Sequence, residues 1–305
     1  MNWRNEKMIS IVVMTYQSSK FIIEALESIK NQTWGNLELI ISDDASTDNT
    51  IELCNAFVTN NKSRFINSII ITSKVNTGIP SNYNRGIRAA SGEWIKFVDA
   101  DDVLLHNCVM NNINYIERYP NAKFIISDLI EINENSKVIK DKFINKGMQY
   151  LIKKQSHKEQ LKAYARFPFF INSPSFFVMR SLLERIGYCD EEFRIYEDIT
   201  MVIRTLIEGN KIYYLNKQTV KYRIHSKSIS RSASAIERRK EEEYMIFKKY
   251  REKYLNKNNP IDFSVLYEVW LLHKYKGVNG MKGLTILNKF SLFYWYLKIK
   301  GVHNR

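Results

Sequence analysis

A run of six residues with no polar alternation, Ile9-Ser10-Ile11-Val12-Val13-Met14, sets the first limit on what this chain can fold into. A β-branched run of that length reads as a strand covered on both faces, which is the environment of a parallel sheet packed between helices. The chain downstream keeps that rhythm. Residues 21–29 place Ile22, Ala25, Leu26 and Ile29 at helical spacing. Leu37-Glu38-Leu39-Ile40-Ile41-Ser42 is a second strand, and Ala45-Ser46-Thr47-Asp48 supplies capping residues for a helix over 50–59. Ile69–Thr72 is a third strand, a helix runs from about Ser81 to Ala90, and Trp94–Val98 is a fourth strand. The order βαβαβαβ implies an α/β fold with a mostly parallel sheet and helices on both faces, in which ligands bind beyond the carboxyl ends of the strands. Thr15-Tyr16, Asp43-Asp44 and Asp99-Ala100-Asp101-Asp102 all fall at those ends.

The last of these groups carries three carboxylates in four positions. Carboxylates so close repel unless a cation lies between them, and a hard divalent ion with oxygen ligands, shared with a substrate's phosphates, relieves that repulsion. Taken alone, the cluster is read equally well as an acidic turn capping the next helix.

Composition narrows the setting. The 305 residues are 45% apolar and 13% aromatic, enough to bury a core. Cys54, Cys108 and Cys189 are odd in number and follow no metal-ligand spacing, as expected of reduced thiols in a cytoplasmic protein. No apolar stretch follows the N-terminal charges, so no signal peptide is expected, and no run is long enough to span a bilayer. The net charge of +14 favours an anionic partner. Nucleic acid is not expected, because no zinc-finger, RRM or basic-zipper pattern is present.

Beyond residue 120 the pattern changes. Ala122–Ser127 reads as a strand and 132–160 as polar and poorly patterned. Pro174–Arg180 is a short strand leading into a helix over 181–186, closed by Gly187. Glu197-Asp198 opens an amphipathic helix ending at Gly209, and 211–215 and 219–223 are two further strands. Residues 235–256 space Tyr244, Phe247, Tyr250 and Tyr254 as one helical face, read as a surface helix docked by its aromatic stripe. Near the C-terminus, Phe290–Leu297 lies between Lys289, Lys298 and Lys300. Aromatics flanked by lysines suit either core packing or an anionic membrane surface contacted through 289–300.

Six ordered motifs together resemble the inverting, GT-A-fold glycosyltransferases of family 2 that build bacterial surface polysaccharides. They are Ser10–Tyr16, Ser42–Asp48, Asn76-Thr77-Gly78 with Asn84-Arg85-Gly86, Gly92–Asp102, Glu197-Asp198, and Tyr222-Arg223-Ile224-His225. The resemblance implies a glycosyltransferase domain over 8–232, with a nucleotide-binding half at about 8–105 and an acceptor half at about 106–232. A helical, basic and aromatic extension over 233–305 completes the chain. Two motifs depart from the family's pattern: Met14 and Gln17 stand where Pro and Asn are usual, and Ala45 where Gly is usual.

The resemblance also implies roles. Thr15, Tyr16, Asp43 and Asp44 would line the nucleotide pocket, with Asp44 bonded to base or ribose. An acceptor facing a pyrimidine N–H fits uridine better than cytidine, and a helix-capping role for the Asp43-Asp44 pair stays open beside this. Arg85, and Arg88 near it, would meet the diphosphate. Asp99, Asp101, Asp102 and His225 would hold Mn2+ or Mg2+, with Asp99 also toward the ribose. Lys227 and Arg231 would reach the diphosphate from a mobile lid. Asp198, at a helix start whose dipole favours its ionised form, would be the general base and Glu197 its partner, the two being exchangeable.

The expected reaction moves a hexose or N-acetylhexosamine from a UDP-sugar, with inversion, to an acceptor linked to undecaprenyl diphosphate. The site of action would be the cytoplasm or the inner face of the cytoplasmic membrane. Two rival readings are a sugar nucleotidyltransferase, which would want a Gly-rich basic loop after the first strand, and a non-enzymatic basic binding protein.

Overall fold

The computed structural model describes residues 7–143, 146–167, 173–226, 233–274 and 292–299. Its first third follows the expected alternation: β1 (Ile9–Thr15), α1 (Ile22–Lys30), β2 (Leu37–Asp43), α2 (Thr50–Asn60), β3 (Asn67–Thr72), α3 (Ile79–Ala89) and β4 (Trp94–Asp99). β1 pairs in parallel with both β2 and β4, and β2 with β3, so the order in space is β3-β2-β1-β4. β1 and β2 are buried along their whole length, as an unbroken apolar run requires when helices cover both faces.

The sheet then continues through strands from the second half of the chain. After β5 (Val103–Leu104) and α4 (Cys108–Arg118) come β6 (Phe124–Asn133), β7 (Val138–Phe143), α5 (Lys146–Ile152) and α6 (His157–Arg166). The short β8 (Phe177–Met179) inserts antiparallel between β4 and β6, and α7 (Arg180–Arg185) comes directly after it. α8 (Glu197–Ile207) leads to β9 (Ile212–Ile224), which lies parallel to β6 and antiparallel to β5. β1, β2, β3, β4, β6 and β9 therefore share one direction, and Thr15, Asp43, Asp99 and Ile224 end at one edge of the sheet.

Three expectations from the sequence change. The strands expected over 211–215 and 219–223 are one strand, β9. Leu215 opposes Ser127 but Gln218 opposes Asp128, so Asn216 and Lys217 form a bulge that lets the chain stay on β6. The poorly patterned stretch contains β7, α5 and α6. α6 starts with a reciprocal cap, in which the Glu159 N–H donates to the Ser156 hydroxyl (3.2 Å) and the Ser156 N–H donates to Glu159 (3.1 Å). The helix expected over 235–256 is α9 (Ala233–Ile246), relaxing into a π-helical turn at Phe247–Arg251 and a 3-10 turn at Glu252–Tyr254.

The C-terminal helices α9, α10 (Pro260–Lys274) and α11 (Leu292–Ile299) stand apart on composition, yet Ile246, Phe247 and Val265 join the core formed by α3, α8 and the sheet. The docking is also polar. Buried Arg251 donates to the Ala165 carbonyl (3.0 Å), and Asp262, with no exposed surface, accepts from Arg166 (2.6 Å) and from Lys162.

Close approach explains one glycine. A Cβ on Gly92, just before β4, would lie 2.6 Å from the Ser10 nitrogen and 2.8 Å from the Met8 carbonyl oxygen. Backbone cannot yield as a side-chain tip can, so Gly92→Ala should destabilise the protein by about 1–3 kcal/mol. A lowered urea midpoint at unchanged m is the expected result, because β1 and β4 must part at their first residues.

Candidate active site

The carboxylates at the strand ends are not equivalent. Asp99 closes β4 and accepts from the buried Tyr83 hydroxyl of α3 (3.1 Å). Burial, and then the charge of Asp101, push its carboxyl up to about 7. Asp101 keeps 30% of its side chain exposed, and its Oδ2 lies 2.9 Å from His225 Nε2. Asp102 turns the other way and has no exposed surface. Its Oδ1 accepts the Arg223 backbone N–H (2.8 Å), and burial followed by the charge of Asp101 drives its carboxyl well above the usual range. Through that bond Asp102 fixes the strand that carries His225, while its Oδ2 is buried with no hydrogen-bond partner among the described residues.

Arg223 is an organising residue to which motif spacing assigns no role. Its guanidinium is buried, donating to the Asp101 carbonyl (2.6 Å), the Asn133 carbonyl (3.1 Å), the Ser136 hydroxyl (2.9 Å) and Glu24 (2.6 Å). One planar fork thus ties the loop after β4, the turn after β6 and α1 to the end of β9. An arginine two places before the expected histidine in Tyr222-Arg223-Ile224-His225 is the one local signal, but its partners are scattered along the chain. His225 also packs against Phe21, with ring centroids 5.0 Å apart.

The second group of carboxylates begins α8. Glu197 is buried and accepts from the Ser173 hydroxyl (2.9 Å). Burial, then the charges of Asp198 and Asp99, hold its carboxyl well above the usual range. Asp198 is partly open, accepts the Ile199 N–H (2.6 Å), and is pushed up to about 6 by burial. The field of Asp198 raises Asp99 in turn, so the two acidic groups share one neighbourhood.

The end of β2 is densely hydrogen-bonded. Thr15 is buried and its hydroxyl donates to Asp43 (2.8 Å), which also accepts the N–H (2.8 Å) and hydroxyl (2.5 Å) of Ser46. Asp44 is buried and accepts the N–H groups of Thr77 (3.0 Å) and Gly78 (2.9 Å), the Thr77 hydroxyl (2.6 Å) and Arg85 (3.2 Å). Arg85 donates also to Thr77 (2.9 Å), the Asp43 carbonyl (2.9 Å) and Asn82 (2.8 Å). Asp43, Asp44, Thr15 and Arg85 are thereby tied together at the end of β2. Arg88 pairs with Glu191 at the surface (3.2 Å). Asn49, at the N-cap position of α2, makes no side-chain cap, and Asp48 just before it accepts the Thr50 N–H (3.1 Å). Tyr16, 42% exposed, is the member of this motif open to a ligand. Lys227 and Arg231 lie outside the described residues.

Among the described residues no three His, Cys, Asp or Glu side chains converge on one point. The Asp101–His225 pair still fits a hard divalent ion, because such ions are commonly held by one or two protein groups with substrate phosphates and water completing the shell.

The comparisons agree with this architecture. The glycosyl transferase family 2 profile matches residues 10–187, more than half of the chain. The chain therefore belongs to glycosyl transferase family 2 and is a glycosyltransferase, which removes the nucleotidyltransferase and binding-protein readings. It is 27% identical over 230 residues to glycosyltransferase GlyG of Streptococcus pneumoniae serotype 4, covering 74% of each chain. It is 25% identical over 236 residues to the minor teichoic acid biosynthesis protein GgaB of Bacillus subtilis, covering 74% of this chain but 24% of that one. In fold it resembles residues 1–349 of S. aureus TarS, solved with UDP-GlcNAc, at a TM-score of 0.64 and 20% identity over 90% of this chain and 74% of that one.

The departures from the family's motifs have a backbone cost. Ala45, where glycine is usual, takes φ 68°, and Gln17, where asparagine is usual, takes φ 51°. Left-handed backbone costs a residue with a Cβ about 1 kcal/mol more than glycine. Ala45→Gly is accordingly expected to stabilise the protein by about 0.5–1 kcal/mol, seen as a raised thermal midpoint.

Proposed function

We propose that this chain is an inverting, metal-dependent transferase. It would move a hexose or N-acetylhexosamine from a UDP-sugar to a hydroxyl of a lipid-diphosphate-linked saccharide, giving a β-type linkage. The observation that carries the reading is the division of labour at one sheet edge: an open Asp101–His225 pair beside a partly open Asp198 backed by buried Glu197. A uridine donor draws support from the UDP-GlcNAc complex of the TarS fold. A surface-polymer acceptor is supported by the relative named for teichoic acid biosynthesis.

Residue roles rest on exposure and bonding. Tyr16 stacks on the base, while Thr15, Asp43, Asp44 and Arg85 hold the pocket's floor. Asp101 and His225 would hold Mn2+ or Mg2+, which supplies Lewis-acid neutralisation of the departing diphosphate. Asp99 faces the ribose, and Asp102 with Arg223 fixes the geometry of the pair. Lys227 and Arg231 are assigned to the diphosphate. Asp198 takes the proton of the acceptor hydroxyl as its oxygen attacks the anomeric carbon opposite the leaving group. Glu197, buried and held by Ser173, keeps Asp198 oriented rather than exchanging places with it.

The enzyme would work at the inner face of the cytoplasmic membrane. Among the described residues no helix is long and apolar enough to cross a membrane. α11 exposes Leu292, Trp295 and Ile299 beside Lys298, and α10 exposes Phe263, Tyr267 and Trp270, a pattern suited to an anionic lipid surface.

A screen of UDP-sugars for hydrolysis and transfer tests the reading. Turnover is expected only with Mn2+ or Mg2+, and Asp101→Ala or chelator should abolish it; full activity of that variant in chelator would sink the metal role. Asp198→Asn should lower kcat by about 10²–10⁴-fold with little change in donor binding. Because Asp198 titrates near 6 and works as a base only when ionised, kcat should fall about tenfold per pH unit below that value and level off above it. A profile flat down to about pH 4.5 would remove Asp198 from the base role.

A further inference from the structure

The start of α1 meets the end of β9 through one aromatic ring. Phe21 holds the N-cap position of α1, where serine, threonine, aspartate or asparagine is favoured, and it makes no side-chain cap there. Its ring packs across the chain instead. The ring centroid lies 5.0 Å from that of His225, and the Arg223 guanidinium carbon stands over the same ring at 4.7 Å. Arg223 and His225 are alternate residues of one extended run, so both present themselves on the side that meets Phe21. The Lys20 ammonium also lies over the ring, at 5.0 Å.

Polar bonds around the ring hold it in place. Glu24, in the first turn of α1, accepts from Arg223 (2.6 Å) and from the Ser136 hydroxyl (2.7 Å), and Lys20 pairs with Glu134 (3.0 Å). α1 is thereby fixed against both β9 and the turn between β6 and β7. His225 is held between the Phe21 ring and Asp101, whose Oδ2 lies 2.9 Å from Nε2. The bond to Asp101 sets where Nε2 points, and the contact with Phe21 limits rotation of the imidazole plane about that direction. Removing a group that orients a ligating histidine without touching the ion commonly weakens metal binding by about 10–100-fold.

We propose that Phe21 is a positioning residue for the metal site, its ring setting the orientation in which His225 meets the ion held with Asp101. The proposal rests on the reading of Asp101 and His225 as metal ligands.

The test compares Phe21→Leu, Phe21→Met and Phe21→Tyr in the full-length protein with His225→Ala and Asp101→Ala. The quantities read are Mn2+ affinity with UDP present, taken from the paramagnetic resonance signal of free Mn2+, the thermal midpoint without metal, and kcat at saturating Mn2+. Phe21→Leu and Phe21→Met should weaken Mn2+ binding about tenfold or more, and Phe21→Tyr, which keeps the ring, should stay within about threefold. In a His225→Ala background Phe21→Leu should add less than about twofold, because its effect passes through the imidazole. Saturating Mn2+ should bring kcat of Phe21→Leu back to within about threefold, as a loss of metal affinity alone requires. Unchanged affinity in Phe21→Leu and Phe21→Met, an equal loss in Phe21→Tyr, or multiplied losses in the double variant would each overturn the proposal. A lowered thermal midpoint with Mn2+ affinity intact would mean a packing role only, and would overturn it as well. Undiminished Mn2+ binding in both Asp101→Ala and His225→Ala would remove the metal reading, and the proposal with it. Binding lost in those two variants but kept in Phe21→Leu would overturn the proposal alone.

Discussion

Crowding of like charge at one sheet edge is the constraint to which the rest of the molecule answers. Asp99, Asp101, Asp102, Glu197 and Asp198 are drawn together by the parallel strands and by α8, and each raises the cost of ionising a neighbour. The fold meets that cost unequally. Asp102 is sealed against a backbone N–H of β9, Glu197 is sealed against Ser173, and Asp99 is given a phenol. Asp99, Asp101 and Asp198 keep some opening toward solvent, while Asp102 and Glu197 are buried. Unequal burial thus turns five similar acids into groups with separate tasks, one suited to a cation and one to a proton.

Holding that arrangement takes cations placed out of water's reach. Arg223 gathers the loop after β4, the turn after β6 and α1 around one guanidinium, and Lys96 pins the turn before β8. The C-terminal helices take part as well. Glu242 accepts the backbone N–H groups of Arg194 (2.9 Å) and Ile195 (3.1 Å), and Tyr196 donates to Glu243 (2.6 Å), so α9 braces the segment that leads into Glu197. A region that composition separates from the main domain therefore supports the start of α8.

Legibility tracks the range of the interactions. β1, β2 and β4 are readable because a strand buried on both faces must be apolar throughout, and their observed limits differ from the expected ones by a residue. The Ser156–Glu159 cap of α6 is equally local and is written in adjacent residues. The bulge at Asn216-Lys217 is not, since it exists only relative to β6. For Asp44 and Arg85 the sequence indicates the region but not their partners within the protein. Each is a polar group whose bonds run to residues far along the chain, and sequence spacing carries no record of them.

Local sequence was enough to set the α/β alternation, the edge of the sheet where acidic groups collect, the family, and the pairing of Glu197 with Asp198 at a helix start. All of these depend on local periodicity and on residues adjacent in the chain. The assembled fold was needed to specify which acids keep solvent access, that Asp102 meets β9 and Asp44 meets Thr77 and Gly78, and that Arg223 gathers the loops around Asp101. Solvation and hydrogen-bond partnership belong to a place in the fold, not to a position in the chain. A carboxylate's role is set by what surrounds it, and those surroundings are assembled from segments that meet only when the sheet is complete.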